Sequence, residues 1–279
     1  MVRIDRKDLT DYLSIARQGR NSYSDEELRL LARIAPIEAV AYCSYPSSSP
    51  GNRISATQIE GLIKTLSEEG VEIDESIRKR LLSKKEMKDH EIKASECFGN
   101  EQFEEALEHY SLAGEFINIE SCLEAAKKLS RHGEASVYAE QLAERYVHNF
   151  NVFEELHGEA KKEAIKAGDY DRAVSLHMGL ANRIITSYSS FESLVDGDLK
   201  PLIDLAAKRT NEGTSIDEYV VNAIQKECRA IKKGCHNEPP EEVIAQIGDL
   251  AEYAKENGLM SLAEKLNDER TVYRGQLGS

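Results

Sequence analysis

Two eight-residue stretches of this 279-residue chain can be overlaid directly: FEEALEHY at residues 103–110 and YDRAVSLH at residues 170–177. In both stretches an aromatic residue precedes an alanine by three positions, and a second ring follows the alanine by four. On a helix these three positions lie on one face, with Ala106 or Ala173 at its centre. A small residue there allows a neighbouring helix to approach closely, so the pattern predicts packed pairs of helices.

Glycine and alanine recur around these stretches at a nearly constant interval. Two series show it, with steps of 33 to 35 residues: Gly99, Gly133 and Gly168, and Ala106, Ala139 and Ala173. We expect each glycine to end one helix and each alanine to lie inside the next. An interval of this length is typical of helical repeat proteins.

The interval and the pattern resemble the tetratricopeptide repeat family, whose unit is a pair of antiparallel helices of about 34 residues. The family's second-helix pattern is matched by Phe103, Ala106, Tyr110 and Ala113, and the segment KAGDY at 166–170 is similar to its turn. The resemblance covers residues 84–187 and continues over 240–270. The family's tryptophan and its closing proline are absent from these units.

The predicted fold class is all-α, because no stretch alternates between apolar and polar residues as a strand would. The resemblance implies a right-handed α-solenoid of about five tetratricopeptide-like helical pairs over residues 84–279. A small helical module at residues 1–83 precedes it, with helix starts expected at Ser24 and Ser55. Residues 44–53 of this module, rich in serine and proline, are expected to form an exposed loop.

The acidic charge is unevenly distributed along the chain. The net charge is −14, yet residues 1–90 contain 15 basic and 15 acidic residues, whereas residues 91–279 contain 21 and 35. An acidic surface repels phosphate backbones, so nucleic acid is an improbable partner for residues 91–279. A basic segment of another protein fits this charge better.

One basic cluster stands out, and it supplies the candidate partner-binding residues. Its members follow one another along a predicted helix: Arg78, Lys79, Arg80, Lys84, Lys85 and Lys88. The cluster could contact a nucleic-acid backbone, an anionic lipid surface or an acidic partner. It could equally be a solvated helix face whose lysines pair with nearby acidic residues, and the absence of interleaved aromatic residues favours that interpretation.

Catalytic and metal-binding motifs are missing from the sequence, so no catalytic residue, metal site or cofactor is predicted. Cys228, Cys235 and His236 form a three-residue cluster that lacks the fourth ligand of a typical zinc site. Glu154 and His157 form a single Glu-x-x-His, half of a di-metal carboxylate motif, and a solvated helix face is the favoured interpretation.

The leading hypothesis is a non-enzymatic protein–protein interaction scaffold or adaptor that binds a basic or helical segment of a partner protein. One alternative is a regulatory protein that contacts nucleic acid or an anionic surface through residues 78–88. Another is an enzyme centred on the N-terminal module near Cys43, with burial of Cys43 counting against it. No segment reaches the ~18 apolar residues of a membrane span, so we expect a cytoplasmic protein without membrane insertion.

Overall fold

The structure, a computed structural model, describes residues 2–5, 7–9, 23–44, 54–114, 117–184, 190–209, 216–233 and 238–277. Nearly all of these residues lie in helices, which confirms the predicted all-α class. None of the helices in these ranges is long and apolar enough to cross a membrane. The chain divides into two compact units, Met1–Ala125 and Ala126–Ser279.

The first unit combines helices with one short strand pair. Its elements, in chain order, are β1 (Val2–Ile4), α1 (Asp25–Ile34), α2 (Pro36–Ser44), α3 (Ala56–Glu68), β2 (Val71–Ile73), α4 (Glu75–Gly99), α5 (Phe103–Leu112) and α6 (Ile119–Lys128), which crosses the unit boundary. The strands pair in parallel, with Val2 opposite Val71 and Ile4 opposite Ile73. The sequence predicted no strands, because three residues are too few for an alternating pattern to be recognised.

The predicted helix starts at Ser24 and Ser55 are confirmed as capping boxes. The Ser24 hydroxyl accepts a hydrogen bond from the Glu27 backbone, and the Glu27 carboxylate accepts one from the Ser24 backbone. Ser55 and Gln58 exchange the same pair of bonds. These caps satisfy backbone donors at the start of each helix. The apolar faces of the helices and of β1 form one core that includes Ile4, Leu28, Ile59, Leu62 and Leu81.

Helix α4 is continuous for 25 residues, so the predicted domain boundary at residues 83/84 falls inside it. The compact units divide instead at Ala125/Ala126. Helix α4 packs along α5, and Ala94 and Ala106 are fully buried. Of the predicted serine- and proline-rich loop, Ser44 is the buried last residue of α2, and residues 45–53 lie outside the described residues.

The second unit is built from helices that follow one another closely in the chain. They are α7 (His132–Arg145), α8 (Phe150–Lys166), α9 (Tyr170–Ile184), α10 (Phe191–Leu194), α11 (Lys200–Ala207), α12 (Asp217–Lys232), α13 (Pro240–Glu256) and α14 (Met260–Leu277). A π-helical turn, Val195–Leu199, joins α10 to α11. The most extensive contacts are those of α7 with α8, α8 with α9, and α13 with α14.

Four of the turns between successive helices share one backbone geometry, the Schellman motif. In each turn one residue adopts a left-handed conformation, and its φ lies between 57° and 80°: Glu101, Ser130, Gly168 and Gly258. The next residue donates its backbone N–H to a carbonyl five positions back, as Asp169 does to Ala164 at 3.0 Å. These bonds satisfy carbonyls at the end of the helix and reverse the chain.

A buried alanine follows the left-handed residue of every such turn by five positions. These alanines are at most 5% exposed: Ala106, Ala135, Ala173 and Ala263. The turn and the alanine therefore form one recurring unit of structure. It fixes which face of the returning helix meets its neighbour, as the overlaid stretches around Ala106 and Ala173 predicted.

The predicted position of the middle repeat is wrong. Gly133 does not end a helix, because it is the second residue of α7, and the preceding turn is made by Ser130. Ala135, rather than Ala139, is therefore the equivalent of Ala106 and Ala173. A search for glycine selects the wrong residue here because serine can also adopt a left-handed conformation, at an energetic cost.

Replacing Ala173 by glutamate should destabilise the protein strongly. Ala173 is fully buried, so the new side chain adds volume and an uncompensated carboxylate between packed helices. We expect the free energy of unfolding to fall by about 2–4 kcal/mol in urea denaturation. Ser175→Glu, at an exposed position of the same helix, should change it by less than about 0.5 kcal/mol. Equal losses in both variants would contradict the packing described.

Candidate functional site

The six basic candidate residues do not form one continuous exposed surface. Lys84 and Lys88 are buried, at 5% and 6% exposure, and Lys85 lies 3.3 Å from the carboxylate of Asp89. The exposed members are those in the first turns of α4: Arg78, Lys79 and Arg80. Arg80 also donates a hydrogen bond to the backbone carbonyl of Ser44 at 3.2 Å. The cationic surface of α4 is therefore narrower than the six-residue cluster in the sequence.

Of the three cysteines considered as reactive or ligating residues, Cys43 and Cys228 are buried. Burial raises the pKa of the Cys43 thiol to about 12, although the charge of Lys84 opposes the shift. Burial likewise raises the pKa of Cys228 to about 12. Thiols in this state are poor nucleophiles. Burial of Cys43 counts against an enzyme centred on it. Cys235 and His236, which accompany Cys228 in the three-residue cluster of the sequence, lie outside the described residues.

The Glu-x-x-His segment of α8 does not form a solvated face as predicted. Glu154 is exposed, but His157 is buried, and its ring lies 5.0 Å from the ring of Phe153, centroid to centroid. His157 thus faces the interior, one turn before Lys161. Within the described ranges, no three side chains of histidine, cysteine, aspartate or glutamate are grouped so as to hold a metal ion.

A polar network that the sequence analysis did not predict lies inside the second unit. It joins Lys161 of α8, His177 of α9, Asp198 of the π-helical turn and Tyr219 of α12. Lys161 Nζ lies 3.1 Å from His177 Nδ1, and His177 Nε2 lies 2.5 Å from Asp198 Oδ1. The Tyr219 hydroxyl donates to Asp198 Oδ2 at 2.9 Å. Four elements are thereby connected through side chains alone.

The partners of His177 define its tautomer. Nε2 faces two acceptors, the Asp198 carboxylate and, at 3.0 Å, the Asp198 backbone carbonyl. Nε2 therefore carries the hydrogen, and in the neutral ring Nδ1 has a lone pair that can accept a hydrogen bond. Lys161 Nζ is the donor to that lone pair. His177 thus presents a proton acceptor to the lysine amine, while Asp198 holds the ring in place.

Burial makes the ammonium group of Lys161 easier to deprotonate than that of an ordinary lysine. Removal from water lowers the pKa of its ammonium group, and the charge of Lys162 adds to this effect, whereas Asp198 opposes it. Lys161 is half-buried, while His177 and Asp198 are 6% and 2% exposed. Lys161 and Tyr219 are both half-buried, so they are the two members of the network that solvent reaches. Ionisable groups with shifted pKa values are concentrated at functional sites, although structural networks shift them too.

No signal in the sequence marks this network. Its members are separated by 16, 21 and 21 residues and belong to no motif. Asp198 reaches His177 from a π-helical turn, whose wider backbone changes the direction of the side chains relative to an α-helix. Such turns are frequent at functional sites. A π-helical turn has no reliable signature in a single sequence.

Exposed acidic side chains lie on both α5 and α6 in the first unit. Residues 91–125 contain nine acidic residues and a single lysine, so they carry more than half of the net negative charge. Glu105 and Glu108 are exposed on α5, and Leu112, on the same face, is 56% exposed. Glu120 and Glu124, four residues apart on α6, are exposed as well.

Searches of the protein-family models, of the curated proteins and of the solved structures found no match to this chain. The candidate functional features of the described residues are the polar network and the exposed acidic side chains of α5 and α6. Both arise from how the helices are placed, and neither is a sequence motif.

A second buried carboxylate, Glu163, links the ends of α7 and α8. Its side chain is 3% exposed and lies 2.7 Å from His132 Nδ1 and 2.6 Å from Lys166 Nζ. Burial raises the pKa of Glu163, but the hydrogen bonds and charges of Lys166 and His132 together outweigh it and lower the pKa below its usual value. The folded state therefore favours the ionised carboxylate.

Glu163→Gln should lower the free energy of unfolding near pH 7 by about 1.5–3 kcal/mol, since hydrogen bonds to a buried charge are lost. Because the folded-state pKa is lowered, this contribution is complete above the unfolded-state pKa of about 4.3 and disappears as the pH falls through the folded-state pKa. Urea denaturation across this range should show the two proteins converging in acid. Glu154→Gln, at an exposed site on α8, is the control, and a pH-independent difference for Glu163→Gln would overturn the assignment.

Proposed function

We propose that this protein is a non-enzymatic protein–protein interaction scaffold that binds a basic, amphipathic helical segment of a partner protein. The observation that carries the proposal is the exposed stripe of Glu105, Glu108 and Leu112 along α5. Two carboxylates followed by an apolar side chain offer both charge and a hydrophobic contact. Residues 91–125, which include the stripe, are strongly acidic as a whole.

The architecture supports this proposal. Helices in both units return through the same turn and bury an alanine at the same position, as expected for stacked helical pairs. We infer that these pairs are tetratricopeptide-like and belong to a right-handed α-solenoid, as the sequence resemblance implies. Stacked pairs of this kind expose extended surfaces that bind segments of other proteins.

The charge of the α5 stripe selects the chemistry of the partner. Exposed carboxylates attract lysine and arginine over a distance set by the salt concentration, and they mainly accelerate association. Leu112 requires an apolar residue in the partner within one or two helical turns of those basic residues. A phosphate backbone meets this requirement poorly, because it brings like charge to the stripe.

Neutralising the stripe should weaken binding of a basic amphipathic helix. In fluorescence anisotropy at roughly 0.1 M salt, the double variant Glu105→Gln, Glu108→Gln should raise the Kd of a labelled lysine–leucine amphipathic peptide about three- to tenfold. The difference should shrink towards about 1 M salt, where the Debye length falls to about 3 Å. Leu112→Ala should weaken binding at both salt concentrations, because an apolar contact is not screened.

A matched control removes the same charge elsewhere. Glu252→Gln with Glu256→Gln, two exposed positions on α13, should change the Kd less than about twofold. A glutamate–leucine peptide of the same length and double-stranded DNA should not bind measurably. If the control pair weakens binding as much as the stripe pair, only the net charge matters and the α5 site is wrong. Tight binding of DNA would reject the scaffold proposal in this form.

A further inference from the structure

We propose that Lys161 is a modification site, at which its amine takes the acyl group of a small acyl phosphate with His177 as the proton acceptor. The proposal rests on the second unit and is independent of the α5 stripe. It makes Lys161 a regulated residue of a binding protein rather than part of an enzyme, since the acyl group stays on the chain.

The position of His177 is the first support. A lysine amine attacks only after losing a proton, and it loses another once the new bond has formed. His177 Nδ1 lies 3.1 Å from Lys161 Nζ, and its lone pair faces the amine because Nε2–H is held by Asp198. A general base within hydrogen-bond reach of the nucleophile is the arrangement that such a transfer requires.

The charge balance around Lys161 is the second support. On its own helix Lys162 disfavours a second positive charge, and His157, one turn earlier, is buried against Phe153. Across the helix interface, His177 Nδ1 accepts a hydrogen bond from the Lys161 amine. The negative charge of Asp198 favours the protonated form of Lys161. Burial outweighs this attraction, so the pKa of Lys161 is lowered and more neutral amine is present near pH 7 than at an ordinary lysine.

The surroundings of Lys161 select the donor by size and charge. Lys161 is half-buried, so a compact donor reaches the amine more readily than a bulky one. Lys162 is exposed on the same helix, and its charge attracts a phosphate group. An acyl phosphate is a small anion that carries its acyl group on a good leaving group. It therefore fits both conditions.

The step balances without any other reactant. The Lys161 nitrogen attacks the acyl carbon, and a C–N bond forms. The bond between the acyl carbon and the bridging oxygen of the phosphate breaks, and inorganic phosphate leaves with that oxygen. The proton lost from nitrogen passes to His177 Nδ1 and then to water. The product is a neutral amide at residue 161, and nothing is oxidised or reduced.

The test compares Lys161 with its neighbour Lys162 in the same intact chain. The full-length protein is incubated with acetyl phosphate, and acetylation at each lysine is followed by peptide mass spectrometry from about pH 7 to about pH 9.5. Lys162 is exposed and serves as an internal control for donor concentration and hydrolysis. We expect Lys161 to be acetylated at least fivefold faster than Lys162 near pH 7, and the ratio to fall as the pH rises. Rates that run parallel, or a Lys161 that stays unmodified, would overturn the proposal.

A variant separates the base from simple burial. His177→Gln keeps a hydrogen-bonding side chain of similar size but removes the proton acceptor, so the Lys161 rate should fall at least threefold while the Lys162 rate is unchanged. An unchanged ratio in a folded variant would show that His177 has only a structural role and would reject it as the base. The comparison of Lys161 with Lys162 uses the protein without the substitution, so it does not depend on whether His177→Gln folds.

Discussion

The left-handed residue in each Schellman turn is the constraint on which the helical pairs depend. It reverses the chain within a few residues and sets the rotation of the returning helix about its axis. Five positions later the side chain faces a neighbouring helix at close range, and alanine occupies that position after Glu101, Ser130, Gly168 and Gly258. His177 follows Gly168 by nine positions, one helical turn beyond Ala173, so the same turn directs its ring towards α8.

Helices that approach so closely must satisfy the polar groups between them. An unpaired polar group in this environment costs about 1–3 kcal/mol, and an unpaired charge costs more. The second unit meets this requirement with shared partners. Ser136, fully buried, donates to the carbonyl of Ala160 and accepts from Arg172, and Glu163 bridges His132 and Lys166. In the His177 network the same requirement places the Lys161 amine beside the His177 base. A set of hydrogen bonds that stabilises the fold therefore also has the arrangement that the proposed acylation needs.

The sequence revealed the features that depend on local pattern. The all-α class, the serine cap of α1, the start of α3, and the packing positions of Ala106 and Ala173 follow from periodicity and capping preferences. The middle repeat was misplaced because Ser130 forms its turn, whereas the intervals in the sequence pointed to Gly133 and Ala139. The strand pair and the His177 network depend on residues distant in the sequence, and the network also needs a π-helical turn. Spacing in a single sequence carries no information about such contacts.

The basic cluster shows the converse, because residues that are close in the sequence do not form the single surface that their spacing suggests. Six cations close in sequence suggest one surface, but a helix distributes them around its circumference, and packing buries Lys84 and Lys88. The acidic residues of α5 differ from the basic cluster, because Glu105 and Glu108 are both exposed and share one face of the helix with Leu112. The two proposed activities occupy different units, so binding at α5 and acylation at Lys161 are separate properties that can be lost independently.

The most direct test of the recurring turn is the free energy of unfolding of Gly133→Ala beside that of Gly168→Ala. In the structure Gly133 lies within the first turn of α7 and a Cβ there meets no atom within 4 Å, so alanine should raise the free energy of unfolding by about 0.5–1 kcal/mol. Gly168 has a φ of 75°, so alanine there should lower it by about 1 kcal/mol or more. Urea denaturation of the two variants should therefore give changes of opposite sign. A loss of stability in Gly133→Ala equal to that in Gly168→Ala would place the turn at Gly133 and contradict the account.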